Sequence, residues 1–481
     1  MSNTKDSEQF RAEALRIGGE RVITPRAIEV RNPYNGERVG STPVASIEQV
    51  RRAMEVAHAY RATLSRYERS AILNRAAALL RERTAEASDL ITRESGLSKK
   101  DSTYEVERAA RVLNFGANEA LRDDGEVFSC DLTRHGKQRK VITTREPLLG
   151  VITAITPFNH PMNQVAHKVV PSVATNNRMV LKPSEKVPLS AYYFADLLYE
   201  AGLPPEMLQV VTGHPREIAD ELLTHRHVDL VTFTGGVPIG KYIASRAGYR
   251  RVVLELGGND PLIVMDDADL DTASDLAVQG SYRNSGQRCT AVKRMLVHEK
   301  VVAEFTERVV AKTKAWRYGD PADKGNEMGT VIDAAAAKSF ENLVNEAVAD
   351  GARLLVGNRR KGALYSPTVI DRVRPEMTVV REETFGPVSP IICFKNIDEA
   401  IRISNGTAFG LSSGICTNRM DDAVRFAKEL EVGTVNLWEV PGYRTELTPF
   451  GGIKDSGLGD KEGVQESIKA FTNGKTFTLP W

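Results

Sequence analysis

Cys289, in the run Asn284-Ser285-Gly286-Gln287-Arg288-Cys289-Thr290, is the side chain best equipped to open a covalent reaction. A thiolate is a strong nucleophile toward a carbonyl carbon. The small residues before it suit a tight turn that exposes sulfur. Arg288 beside it offers a cation to stabilise the thiolate. An isolated cysteine serves equally well as a buried apolar residue. Glu255, in Leu254-Glu255-Leu256-Gly257-Gly258-Asn259, follows a strand-like apolar run. Partial burial raises a carboxyl pKa and makes it a better base near neutrality. The other reading is a strand-end acid that binds nothing. Asn159, in Thr156-Pro157-Phe158-Asn159-His160-Pro161, could donate its amide to a developing oxyanion or form an Asx turn before Pro161.

Two further segments bear on phosphate and ribose chemistry. Lys182, Ser184 and Glu185, in Leu181-Lys182-Pro183-Ser184-Glu185, follow a strand-like run. A strand's carboxyl end faces the crevice where α/β proteins bind ligands, although a surface loop would look similar. Phe233-Thr234-Gly235-Gly236-Val237-Pro238-Ile239-Gly240 sets glycines between a strand and a helix. That arrangement can bring a phosphate to a helix N-terminus, but no strict G-x-G-x-x-G follows a strand.

The elements that position these groups read as α/β. Strand candidates are Val151–Thr156, Met179–Leu181, Leu208–Val211, Leu230–Phe233 and Val252–Leu256. Helix-like stretches intervene at Ser190–Ala201, Pro215–Leu223 and Gly240–Ala247. Such alternation predicts parallel sheets. A second series carries strands at Met295–Val297, Pro390–Phe394 and Gly433–Leu437. Helices are expected at Ile47–Ala62, Arg69–Arg83 and Ser102–Leu121, the last opened by a Ser102-x-x-Glu105 capping box. Residues 125–145, with a polar turn at His135-Gly136-Lys137, predict a protruding hairpin, and Ile468–Leu479 alternates like a strand. Exposed strand edges need partners. Pairing of hairpin and tail across subunits, hence a homo-oligomer, is the expectation.

Composition excludes several classes. The 481 residues carry a formal net charge of +1, so general attraction to nucleic acid or anionic membrane is not expected. No apolar run approaches the ~20 residues of a bilayer span. The start, MSNTKDSEQF, is polar, and the four cysteines form no CxxC pair. These features predict a cytoplasmic protein with reduced thiols and no metal cluster.

Taken together, PFNHP, LKPSE, FTGG, LELGG, GQRC, EETFGPV and PFGGIKDSG, in that order over nearly the whole chain, resemble the aldehyde dehydrogenase superfamily. The resemblance implies a Rossmann-like NAD-binding domain (1–124 and 146–255, with a return at 448–464), an α/β catalytic domain (256–447) and a β oligomerisation flap (125–145 and 465–481). It implies Cys289 as nucleophile and Glu255 as the base activating water. The oxyanion hole would be Asn159 with the Cys289 backbone N–H. NAD would lie against Thr156, Pro157, Phe158, Lys182, Ser184, Glu185, Phe233, Thr234, Gly235, Gly236, Leu256 and Gly257. Glu383 would hold the nicotinamide ribose and Phe385 would pack near the ring. The family usually has Ser where this chain has Gly236, so one phosphate contact would be absent. A carboxylate at Glu185 accepts from ribose hydroxyls and repels a 2′-phosphate, which favours NAD over NADP. A homodimer or a dimer-of-dimers tetramer is implied.

Four cationic or basic residues fall at positions that face the substrate tunnel in this superfamily: Arg108, His160, Arg288 and Arg444. They predict an anionic aldehyde, because guanidinium forks match phosphate, phosphonate or carboxylate groups. Thr445 could add a hydroxyl contact. Each arginine alone would be an ordinary solvated or paired side chain. The segments GQRCTAVKR and EVPGYRTELTPFGGIKDSGLG are most like the phosphonoacetaldehyde dehydrogenase branch, which implies oxidation of phosphonoacetaldehyde to phosphonoacetate. Non-phosphorylating glyceraldehyde-3-phosphate dehydrogenase, another semialdehyde dehydrogenase, a CoA-acylating relative and an inactive structural homologue are the alternatives.

Overall fold

A computed structural model describes residues 10–61 and 63–480 of the chain. The polar start, Ala62 at the end of the first expected helix, and Trp481 lie outside the described residues. Two seven-stranded sheets organise the protein. In the first, strands Arg251–Glu255, Val228–Thr234, Val151–Ile155, Met179–Lys182 and Leu208–Val210 run parallel in that spatial order. The antiparallel strands Leu15–Ile17 and Glu20–Val22 complete one edge. The five parallel strands are apolar and almost wholly buried, as expected for a sheet covered on both faces. Chain order runs outward from Val151–Ile155 to Leu208–Val210, then restarts on the other side at Val228–Thr234. The strand order therefore reverses between Val151–Ile155 and Val228–Thr234. Doubly wound sheets open a crevice at that point, beyond the carboxyl ends of the strands.

The second sheet holds Arg353–Val356, Thr368–Asp371, Val388–Phe394, Arg294–His298, Pro261–Val264, Ser412–Cys416 and Thr434–Leu437. All neighbours are parallel except the first pair. Residues 256–260 join the carboxyl end of Arg251–Glu255 to the amino end of Pro261–Val264, and Cys289 lies just before Arg294–His298. The two sheets thus meet end to end where the candidate chemistry lies. The α/β class and both strand series agree with the sequence pattern, with ends moved by one or two residues.

The helical N-terminal part departs from expectation in three places. The helices are Ile47–Ala59, Arg66–Glu82, Thr84–Ser95 and Lys99–Glu119; the third had no distinct pattern. Capping boxes do occur, but at Ser46/Gln49 and Ser65/Glu68. Ser102 is not a cap. The preceding helix stops at left-handed Gly96, so the next begins at once, with the Ser98 side chain accepting the Asp101 N–H. Glu105, freed from capping its own helix, accepts the N–H groups of Met162 and Asn163 at 2.8 and 3.1 Å. It thereby caps the fully buried helix Asn163–Ala174. At Gly116 a Cβ would come within 2.1 Å of Val170, so only glycine allows helices 99–119 and 163–174 to lie this close.

The hairpin exists as Val127–Ser129 paired with Arg139–Pro147. The tail strand is Thr472–Pro480, since residues through Ala470 finish a helix. Its partner is Arg139–Pro147 of the same chain, over nine residue pairs. The expected pairing of tail with hairpin is therefore met within one chain rather than between subunits. No helix among the described residues is long and apolar enough to cross a membrane.

Candidate active site

Two cavities meet at Asn159 and Cys289. One, of about 370 Å³, occupies the crevice at the strand-order reversal. The other, of about 270 Å³, opens on the far side between helix 99–119, helix Leu270–Tyr282 and the loop after Thr434–Leu437. Both are lined by Asn159 and Cys289, and Glu255 lines the first beside them.

The turn before Cys289 carries three consecutive left-handed residues, Asn284, Ser285 and Gly286, with φ of 57°, 54° and 70°. Non-glycine residues adopt this region only when their surroundings hold them there. Here the Asp101 carboxylate accepts the Asn284 N–H at 2.8 Å, and the Asn284 amide donates to the Asn159 carbonyl at 2.9 Å. Asp101 on helix 99–119 thus anchors the turn that bears Cys289 and, through Asn284, the Asn159 backbone. The Cys289 N–H and the Asn159 Nδ2 have no hydrogen-bond partner among the described residues, so two donors remain for an oxygen at Cys289. Burial pushes the Cys289 thiol up to about 11, against the pull of Lys293. The sulfur therefore rests as a thiol. The expected cation Arg288 does act on the sulfur electrostatically, and Lys293 joins it: Lys293 donates to the carbonyls of Arg288 and Cys289 and pairs with Glu383 at 3.1 Å. In the sequence, only its distance along the chain from Cys289, four residues, marks Lys293.

Glu255 ends its strand buried, with both carboxylate oxygens lacking partners. Burial, then Glu462, push its carboxyl well above the ordinary range; Lys168, Arg444 and Lys461 only partly offset this. A raised folded pKa means the protonated form is favoured in the native state. Its cost therefore grows as pH rises from the unfolded-state value, about 4.3, toward the folded one. Glu255→Gln should raise Tm at pH 8, with the gain shrinking toward pH 5; an equal change at both values would contradict this burial. The glycines after Glu255 answer to close approach. A Cβ at Gly257 would meet Glu383 at 2.2 Å, and one at Gly258 the Cys289 carbonyl at 2.6 Å.

The larger cavity brings together Thr156, Pro157, Phe158, Lys182, Ser184, Glu185, Phe233, Thr234, Gly235, Gly236, Leu256, Gly257, Glu383 and Phe385. Its features suit a dinucleotide. Lys182 and Glu185 pair at 3.2 Å at a strand end, and the buried Thr156 and Thr234 hydroxyls lack partners. Helix Val237–Ala247 starts at Gly236 with no side-chain cap, leaving its N–H groups for an anion. A Cβ at Gly236 would find nothing nearer than Pro238 Cδ at 3.9 Å, so there is room there. Leu222, Leu223, Ile239 and Ile243 form an apolar end fit for a flat base.

The smaller cavity is lined by Arg108, His160, Arg288 and Arg444, but not by Thr445, which is exposed on the outer side of its loop. Arg108 stands on a polar stripe, Asp101, Tyr104, Glu105 and Arg108, at helical spacing. That i, i+3, i+4, i+7 pattern was readable in the sequence, yet only Arg108 was picked from it. Burial draws Arg288 down to about 10, so it stays charged at neutral pH; its Nε is buried without a partner. Arg444 lies over the Phe450 ring at 4.0 Å, and its Nη1 is likewise buried and unpartnered. Burial lowers the His160 pKa, so the ring is neutral near pH 7, with Glu105 3.4 Å away. Two half-buried arginines, each with one buried and unused N–H donor, face one small cavity beside Cys289. Such groups want an oxyanion.

The sequence pattern that defines the Aldehyde dehydrogenase family matches residues 22–477. The 3-sulfolactaldehyde dehydrogenase of Priestia aryabhattai is 39% identical to this chain and covered over 98% of each. The sulfoacetaldehyde dehydrogenase of Neptuniibacter caesariensis is 36% identical, over 93% of this chain and 98% of that protein. Among solved structures, the NADP-dependent glyceraldehyde-3-phosphate dehydrogenase of Bacillus halodurans C-125, complexed with NADP, superposes with a TM-score of 0.95. It is 38% identical, over 98% of this chain and 99% of that one.

Proposed function

This chain belongs to the aldehyde dehydrogenase family, and from that premise we propose that it oxidises a small aldehyde with an anionic tail to the carboxylate, using NAD. Cys289 is the nucleophile in this reading, Glu255 the base for hydrolysis, and Asn159 with the Cys289 N–H the oxyanion site. The observation behind the tail is the pair of buried, unpartnered guanidinium nitrogens on Arg288 and Arg444, in the cavity that ends at Cys289.

The chain's own groups supply each step. The Cys289 thiol proton leaves to solvent water, and Sγ bonds to the carbonyl carbon as the C=O π pair moves to oxygen, leaving a hemithioacetal oxyanion. The two free donors stabilise charge that exists only then, which lowers the barrier rather than merely tightening binding. A nicotinamide bound in the larger cavity supplies the hydride acceptor that lets this adduct become a thioester. Glu255 then takes a proton from water, the hydroxide adds to the thioester carbon, and as that adduct collapses the C–S bond breaks with its electron pair going to sulfur; the acid proton passes to the sulfur, so the carboxylate departs and the Cys289 thiol is restored. Lys182, Ser184, Glu185, Thr234, Gly235 and Glu383 would hold the dinucleotide. Glu185 favours the unphosphorylated ribose, hence NAD.

Phosphonoacetaldehyde is the substrate we place first, because two guanidinium groups without a direct ion pair among the described residues suit a tail able to carry two negative charges. The second reading is a sulfonated aldehyde of similar size, supported by the names of the relatives above. An aldehyde panel with NAD or NADP decides: phosphonoacetaldehyde should give the highest kcat/KM, ahead of sulfoacetaldehyde, glyceraldehyde 3-phosphate, succinic semialdehyde and propanal. Equal kcat/KM for propanal would end the anionic-tail proposal. Arg444→Ala should raise KM for the best charged substrate about tenfold or more relative to KM for propanal. A parallel change in both would mean that Arg444 does not touch the tail.

A further inference from the structure

Glu446 is a buried carboxylate that neither the hydride transfer nor the hydrolysis uses. Its Oε1 accepts Arg108 Nε at 2.6 Å, and Arg108 Nη2 lies 3.4 Å from its Oε2. That same Oε2 is 2.5 Å from His167 Nε2, which assigns the ring proton to Nε2 of this fully buried histidine. Its backbone carbonyl accepts the Val464 N–H at 3.2 Å. Burial would raise the carboxyl's pKa, but Arg108, His167 and Arg444 together hold it far below the usual carboxylate range, so it is charged. These contacts tie one point of the loop that follows Thr434–Leu437 to helix 99–119 and helix 163–174. Two residues earlier, the same loop delivers Arg444 to the cavity. Arg108 Nη1 is the nitrogen of that guanidinium with no partner among the described residues.

We propose that Glu446 is a positioning residue for recognition of the anionic tail: it fixes Arg108 with one nitrogen left for the substrate and fastens the loop that carries Arg444. This rests on the reading of an anionic substrate given above. It also divides the arginines by role. Arg108 is ion-paired with Glu446 and contributes directed N–H donation, while Arg288 and Arg444, which form no direct ion pair among the described residues, contribute positive charge. Without Arg108, Glu446 would be a buried carboxylate close to the tail it helps to recognise, and it would repel that tail.

A double-mutant cycle on the full-length enzyme tests this. The charged aldehyde that the wild type prefers and propanal are compared in wild type, Glu446→Ala, Arg108→Ala and the double variant. Glu446→Ala should raise KM for the charged aldehyde about tenfold relative to KM for propanal. The double variant should be no worse than Arg108→Ala, because Glu446 acts through the arginine it holds and its removal relieves repulsion. Glu446→Gln keeps an acceptor for Arg108 Nε and should fall between wild type and Glu446→Ala; it also serves if the alanine variant fails to fold. Additive penalties in the double variant, or equal KM changes for both aldehydes, would overturn the inference. A wild type with no preference for charged aldehydes would sink the substrate reading and this inference together. A clear preference that Glu446→Ala and Glu446→Gln leave intact would sink this inference alone.

Discussion

Cys289→Ser should lower kcat/KM for the preferred aldehyde by at least about 10³-fold while leaving NAD affinity within about twofold. Cys289 and Asn159 are the two side chains shared by both cavities, and of the two only the sulfur is a nucleophile, so in the proposed reaction it alone can bond to an aldehyde placed beside the dinucleotide. Serine keeps the volume and the backbone, and with them the left-handed turn and the two free donors. What it loses is nucleophilicity, since a hydroxyl with no adjacent base is scarcely ionised. The thiol itself starts from a high pKa of about 11, so an alkoxide in the same dry position is further out of reach. NADH absorbance measures the rate and dinucleotide fluorescence the affinity. A serine variant retaining a tenth of wild-type activity would rule out covalent catalysis at this position.

Glu255→Gln should separate the reaction into its halves. Acylation of Cys289 needs no water, so one equivalent of NADH should appear per active site in a fast phase. Turnover should then fall by about 10²- to 10⁴-fold, the usual contribution of a general base. The carboxylate's two unpartnered oxygens and its raised pKa describe a base without a tight ion pair, available for a water molecule. Accordingly, wild-type hydrolysis should speed up as pH rises through a value above the ordinary carboxylate range, and the variant should lose that rise. Hydroxylamine, a small nucleophile that needs no base, should restore turnover to the variant by discharging the thioester. No fast phase and an unchanged kcat would mean that Glu255 is structural. Faster wild-type turnover with CoA than with water would favour thioester transfer over hydrolysis.

The parts of this molecule that were readable in the sequence are those written in local pattern. Strand-helix alternation gave the α/β class, and the fourteen residues expected along the dinucleotide groove do line one cavity: twelve sit at or just beyond strand carboxyl ends, while Glu383 and Phe385 come from the segment before strand Val388–Phe394. The hairpin was legible from its polar turn. The misses share another physical cause. Glu446 and Arg108 lie 338 residues apart, and Lys168 and Glu462 294 apart, so nothing local marks these buried ion pairs. The Ser102 capping box failed because Ser98, at the same spacing from its own acid, Asp101, follows the Gly96 stop and wins the N-terminus. Thr445 was misplaced because Glu446, next to it, points inward to Arg108 and His167, leaving Thr445 on the outside of the loop.

The two chambers touch only around Asn159 and Cys289, and this separates two kinds of inheritance. In the proposed function, residues on the sheet side answer to the coenzyme, and those on helix 99–119 and the loop that bears Arg444 answer to the aldehyde. A lineage could therefore exchange one oxyanion, or one chain length, for another by revising a handful of tail contacts, without retuning the redox half. On the proposed function the traffic of ligands would follow the same division: with each ligand in its own cavity, a spent coenzyme would not have to wait for the acid product to clear its path.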